Sequence, residues 1–106
     1  MPRDIRWSTE FDKQYRKILK RNSSIEDEIS ALLEQLENGE SPGSPYTSIK
    51  GAAVKRVKVN VDSLNLRVVY YHKSGSVLLL MILKRQDFNQ RSIKKMTKIL
   101  KREGYI

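Results

Sequence analysis

Hydrophobic residues recur along this chain with two periods, and the switch between them divides it. Phe11, Tyr15, Ile18 and Leu19 follow at i, i+4, i+7 and i+8, the spacing that lines one face of an α-helix. Ser8 or Thr9 stands where a helix start needs a side-chain oxygen for its unpaired N–H groups. Ile5 and Trp7, just upstream, read as a short opening strand, and the helix is expected to end near Arg21 and Asn22. A second apolar stripe, Ile25, Ile29, Leu32, Leu33 and Leu36, follows at once, with Ser23 to Glu26 in capping-box order and Asn38-Gly39 as the stop. So short a connection makes the two helices antiparallel neighbours.

From Gly39 to Ala53 neither period fits, and Gly39, Pro42, Gly43, Pro45 and Gly51 mark irregular backbone long enough for a binding loop. At Val54 the period becomes two: VKRVKVNV puts Val57, Val59 and Val61 on one face and Arg56, Lys58 and Asn60 on the other. Asp62 to Asn65 reads as a turn, LRVVYYHK as a second strand, Ser74-Gly75 as a two-residue hairpin signal and SVLLLMILK as a third strand. The third is apolar on both faces, which places it centrally, under the helices on one side and partly covered on the other. Ile93, Met96, Ile99 and Leu100 predict a short amphipathic C-terminal helix closed by Gly104. The expected fold is α+β: two N-terminal helices packed on a twisted antiparallel sheet, a short N-terminal strand plus a three-stranded meander, with a short C-terminal helix. Residues 1–106 are expected to form a single domain.

Composition narrows the chemistry. Among 106 residues there is no cysteine and one histidine, His72, which excludes disulfides, thiolate metal sites, thiol nucleophiles and multi-histidine metal centres. The longest apolar run, Val77 to Leu83, is far shorter than the roughly 20 residues of a membrane span, and MPRDIRWSTEF offers no signal-like stretch. A soluble cytoplasmic protein without a small-molecule cofactor is expected. The formal charge is +9, and it is uneven: residues 1–50 hold 8 basic and 9 acidic side chains, residues 51–106 hold 13 and 3. Such a field attracts a polyanion or an acidic protein segment. Lys94, Lys95, Lys98, Lys101 and Arg102 read equally well as part of that field or as a solvated helix face.

Strand parity localises the charge further. With the valines of VKRVKVNV under the helices, Arg56 and Lys58 share the open side, and Arg67 aligns with them on the next strand. The third strand ends in Lys84-Arg85, so four or five cations are expected to converge on one sheet face. A phosphodiester is a natural target, because the charge that gathers on nonbridging oxygens during its cleavage is stabilised by fixed guanidinium groups. Crowding among arginines disfavours the charged form of a lysine, which makes Lys58 a candidate base toward a ribose 2'-hydroxyl. The same alternation also describes ordinary solvent-facing positions of a one-sided sheet. His72 reads as a strand-end residue, Asp87 as the cap of the last helix ahead of any role beside Arg85, and Trp7, Phe11, Tyr15 and Tyr70 as core. Tyr71 and Phe88 lie near enough the cations to stack on a base.

The order of these features resembles the RelE/ParE superfamily of bacterial toxin-antitoxin toxins over nearly the whole chain. The segments that carry the likeness are FDKQYRKILK, LLEQLENGESPGS leading to IKG, RVKV, LRVVYYHK and LLLMILKRQD. The resemblance implies a small α+β domain and, for the RelE-like and HigB-like branch, metal-free cleavage of messenger RNA in the ribosomal A site by 2'-hydroxyl attack on the adjacent phosphate. By position it implies catalytic roles for Arg56, Lys58, Arg67 and Arg85; Lys84, Phe88, Arg91, Tyr71 and Lys55 are the expected RNA contacts beside them. Where some relatives carry a tyrosine after the last arginine, this chain has Phe88 and Arg91; Phe88 can stack but cannot transfer a proton. The implied partners are the ribosome with its message and a cognate antitoxin bearing an acidic or amphipathic segment. Two other readings share the scaffold: a ParE-like inhibitor of DNA gyrase, and a non-catalytic basic nucleic-acid-binding domain.

Overall fold

The computed structural model of the chain describes residues 3–73 and 75–106. Its elements are β1 (Asp4–Trp7), α1 (Thr9–Arg21), α2 (Ile25–Glu37), β2 (Ser44–Pro45), β3 (Val54–Val61), β4 (Leu64–Lys73), β5 (Ser76–Lys84), a 3₁₀ turn (Arg85–Asp87) and α3 (Gln90–Arg102). The strands form one sheet in the order β1-β5-β4-β3-β2. The meander β3-β4-β5 is antiparallel, as its alternation predicts, but β1 joins β5 in parallel, so the sheet is mixed. Parity says which way a side chain faces; it is silent on the direction of the neighbouring strand. Within the stretch read as irregular, Ser44 and Pro45 pair with Arg56 and Lys55 and make the far edge of the sheet. The β3–β4 turn is tighter than its sequence suggests: strand pairing resumes at Leu64, with Asp62 at a φ of 53°. In the β4–β5 hairpin, Gly75 has the positive φ that such a turn requires, while Ser74 lies outside the described residues.

β5 separates two apolar cores. On one face α1 and α2 pack Phe11, Ile25, Ile29, Leu32 and Leu36 against Val57, Val59, Val61, Val68, Tyr70, Val77, Leu79 and Ile82. On the other, Met96, Ile99 and Leu100 of α3 pack with Ile49 and Val54 against Val69, Tyr71, Leu78, Leu80 and Met81. Leu80 and Met81, neighbours in sequence, share a face because a register shift opposite Val69 and Tyr70 resets the alternation of β5. Without it, Met81 would point at α1 and Ile82 at α3.

Ser8 caps α1, its hydroxyl accepting from the Phe11 amide at 3.0 Å. Two other capping assignments are corrected. At α2 the N-cap is Ser24 in a helical conformation, with no side-chain bond, so the Ser23–Glu26 box does not form. At α3 the cap is Asn89, in a reciprocal pair with Ser92, because the 3₁₀ turn places Asp87 one turn too early.

Candidate functional site

β3 and β4 set three cations on the sheet face that carries α3. Lys58 stands directly across from Arg67, and on the other side of Arg67 lies Leu83 of β5. Arg56, two residues before Lys58, is across from Val69, whose side chain belongs to the α3-side core. α3 and its following segment therefore cover one half of this face, and the cations occupy the other.

Arg56 is held by aromatic rings. Its guanidinium carbon is 5.1 Å from the ring centre of Tyr46 and 5.5 Å from that of Phe88, and the two rings meet near edge-on at 5.8 Å. Cation–π attraction from two quadrupoles fixes a side chain that would otherwise wander. Arg67 is only 8% exposed, and its Nη1 donates to the Leu66 carbonyl at 3.1 Å. A guanidinium carries five N–H donors, so one carbonyl leaves it largely unsatisfied by protein. Among the described residues the ion pairs are Arg6–Glu103, Arg16–Asp12 and Lys95–Glu10. None involves Arg56, Lys58 or Arg67. Three cations on one face, with no carboxylate partner among the described residues, can attract an anion, and guanidinium groups suit phosphate oxygens.

Arg85 opens the 3₁₀ turn that packs against β4, two residues beyond the Leu83 that flanks Arg67, and is exposed. Arg91 is exposed in the first turn of α3 and lines a cavity of about 150 Å³ with Leu83, Asp87 and Asn89. Phe88, half-buried, serves Arg56 directly. The remaining residues expected at the cluster lie elsewhere. Lys84 is paired with Leu66 and lines a cavity of about 600 Å³ with Lys17, Ile18 and Leu64, on the α1 side of the sheet. Lys55 also has the opposite parity to Arg56, and its ammonium donates to the Ser41 carbonyl at 2.7 Å. Tyr71 is on the correct face but stacks on Tyr105, ring centres 4.4 Å apart, and is buried under the C-terminal segment.

Lys55 belongs to a strap. With Arg3, which donates to the Glu40 carbonyl at 3.0 Å, and Tyr70, whose hydroxyl donates to the Pro42 carbonyl, it ties residues 40–42 to the sheet. Burial pushes the Tyr70 phenol up to about 12. Burial, then Lys55 and Arg3, lower the His72 imidazole from its ordinary value. Next along the loop, Gly43 has a φ of 95°, and a Cβ there would stand 2.5 Å from the Arg56 carbonyl oxygen. The backbone can therefore run close to β3 only because this residue is glycine. That approach delivers Tyr46, whose amide donates to the Val54 carbonyl at 2.9 Å, to Arg56. Tyr46 escaped sequence reading because it lies in an aperiodic stretch; the Pro45-Tyr46 pair after a glycine was the only signal.

Among the described residues no three His, Cys, Asp or Glu side chains gather into a metal-binding group, and no helix is long and apolar enough to cross a membrane. No curated protein is significantly similar to the chain. A family model described as ParE toxin of type II toxin-antitoxin system, parDE, matches residues 5–87, from β1 through the 3₁₀ turn. The resemblance singled out the RelE-like and HigB-like branch; the match is to ParE, within the same superfamily. The match covers most of the chain, and the chain belongs to the ParE toxin family of type II toxin-antitoxin systems, a toxin whose partner is a cognate antitoxin.

Proposed function

We propose that this toxin is a ribosome-dependent endoribonuclease that cleaves messenger RNA without a metal. The observation that carries the reading is the cluster of Arg56, Lys58 and Arg67 on one face, with no carboxylate partner among the described residues and with Arg56 packed against Tyr46 and Phe88. In this reading a ribose 2'-hydroxyl attacks the adjacent phosphorus, the bond to the 5' oxygen breaks, that oxygen takes a proton from water and leaves as a 5'-hydroxyl, and a 2',3'-cyclic phosphate remains. Arg67 and Arg56 hold the nonbridging oxygens as their charge grows, and Arg85 supports the leaving side. Lys58, exposed directly across from Arg67, is the base assigned to the 2'-hydroxyl proton. The ribosome presents the message in the conformation that an open sheet face does not itself impose. A cognate antitoxin with an acidic segment would neutralise the same charge.

A second reading, inhibition of DNA gyrase, is favoured by the name of the family that matches. The two separate in one experiment. After induction, mapping of message ends on ribosomes from wild type and Arg67→Ala is expected to show cleavage only in wild type. Cleavage-free growth arrest, with purified gyrase failing to supercoil, would overturn the nuclease reading in favour of the second.

A further inference from the structure

α3 is charged in a way the other helices are not. Its thirteen residues include no acid, and its first turn, where carboxylates favour the helix dipole, has none. α1 follows the usual order, with Glu10 and Asp12 in its first turn, Lys20 and Arg21 in its last and an Asp12–Arg16 pair between. On α3 the buried stripe of Ser92, Met96, Ile99 and Leu100 faces the sheet. At about 100° per residue, Arg91, Lys94, Lys95, Lys98, Lys101 and Arg102 all fall on the opposite side, within about 120° of arc centred on Lys98. Only Lys95 has a carboxylate partner among the described residues, Glu10 of α1 at 3.4 Å. Neighbours three and four apart on this face are thus cations that repel, a standing cost to the helix. A face that served solubility alone would mix signs, as α1 does.

Two concavities run along this face and share Lys95 and Lys98. One is lined by Arg91, Lys94, Lys95 and Lys98, the other by Lys13, Lys95, Lys98 and Arg102 with Thr9, Glu10 and Ile99. The track starts close to the cationic cluster in sequence, since Phe88 packs on Arg56 and Arg91 lies three residues later in the first turn of α3. It also lies beyond Asp87, where the family match ends.

We propose that the basic face of α3 is a docking surface for the phosphate backbone of RNA, which it grips without reading sequence. The proposal rests on the RNA-cleaving reading for its choice of RNA. From Arg91 to Arg102 the helix runs about 16 Å, enough for several phosphates of one strand. Lysines predominate, as suits point-charge positioning in place of bidentate base recognition. The face holds structured RNA while the cluster of Arg56, Lys58 and Arg67 takes the strand to be cut.

The test is fluorescence anisotropy of a labelled RNA hairpin over a salt series, with two charge-matched triple variants of the full chain. Lys94→Gln with Lys98→Gln and Arg102→Gln is expected to weaken binding about tenfold at 0.1 M salt and to flatten the log–log salt slope by about 2 to 3. Lys17→Gln with Lys20→Gln and Arg21→Gln, on α1, is expected to change affinity less than twofold. Lys98→Glu alone, at the centre of the arc, is expected to show a smaller loss of the same kind. Equal effects of the two triples, or none from either, would overturn the proposal by reducing it to net charge. Tighter binding of a DNA hairpin than of RNA, or displacement of RNA by an equimolar polyglutamate peptide, would overturn it too. The two readings fail separately: Arg67-dependent cleavage indifferent to the α3 triple removes the docking surface, whereas α3-dependent RNA binding with no message cleavage removes the nuclease.

Discussion

A guanidinium that is 8% exposed, with a single backbone carbonyl as partner, is held in the fold at a cost. Arg67 is flanked by Lys58 and Leu83 and has no carboxylate to offset its desolvation. Replacing it with an apolar side chain of similar length removes that cost and, with it, a guanidinium of the proposed phosphate-binding cluster. Arg67→Met is therefore expected to raise the stability by about 1 kcal/mol in urea titration. The same variant is expected to lose message cleavage by about a hundredfold. A variant both less stable and still active would contradict the assignment. His72 is a second residue whose environment sets its behaviour. Burial and the nearby Lys55 and Arg3 favour its neutral form, so protonation is easier in the unfolded chain. Its contribution to stability is complete above the ordinary imidazole value of about 6.5 and is lost as the pH falls toward the lower value in the fold. Denaturation midpoints are expected to decline over that range in wild type and to decline less in His72→Asn.

At the scale of elements, α1 completes the pairing of β5 where β1 ends. β1 reaches only to Leu79; beyond it, the Ser8 hydroxyl donates to the Leu80 carbonyl at 2.7 Å and the Gln14 side-chain oxygen accepts from the Ile82 amide at 2.9 Å. These bonds flank the register shift, where the backbone groups of β5 would otherwise be unpaired. Gln14→Leu leaves the Ile82 N–H without a partner and is expected to cost about 1–3 kcal/mol in the same titration. Gly43→Ala acts through a different element. The new methyl meets the Arg56 carbonyl and Val57, and the loop must retreat with Tyr46. Cleavage is expected to fall about tenfold, with a smaller loss of stability than Gln14→Leu produces. These elements also mark what the sequence could and could not convey. Helix stripes, the valine alternation and the grouping of Arg56, Lys58 and Arg67 follow from side-chain period, which burial imposes directly. Lys55 and Lys84 followed the same rule, adjacent to the cluster in sequence but opposite in parity. Tyr46, the parallel pairing of β1 and the shift in β5 depend on contacts between distant segments, which leave no period behind.

At the scale of the molecule, the sheet is a wall shared by two cores, and β5 contributes Val77, Leu79 and Ile82 to one and Leu78, Leu80 and Met81 to the other. Losing either layer exposes one side of this strand. Removing α3 would uncover Leu80 and Met81, and removing α1 would uncover Leu79 and Ile82. Each bared apolar side chain costs roughly 1.5–3 kcal/mol, so a state with one layer detached forfeits much of the 5–15 kcal/mol that holds a domain of this size together. The cationic face needs both layers as well: α1 and α2 press Val57 and Val59 inward and so turn Arg56 and Lys58 out, while α3 anchors Phe88 against Arg56. Unfolding is accordingly expected to be a single transition. Trp7, packed edge-on to Phe11 and Tyr15, reports on the α1–α2 layer, and the stacked Tyr71–Tyr105 pair reports on the α3 layer. Tryptophan fluorescence and near-ultraviolet tyrosine dichroism, followed through one urea series, should give the same midpoint and the same slope. If the tyrosine signal fell first, α3 would be a separately detachable layer, and the site would then be assembled only when that layer is docked.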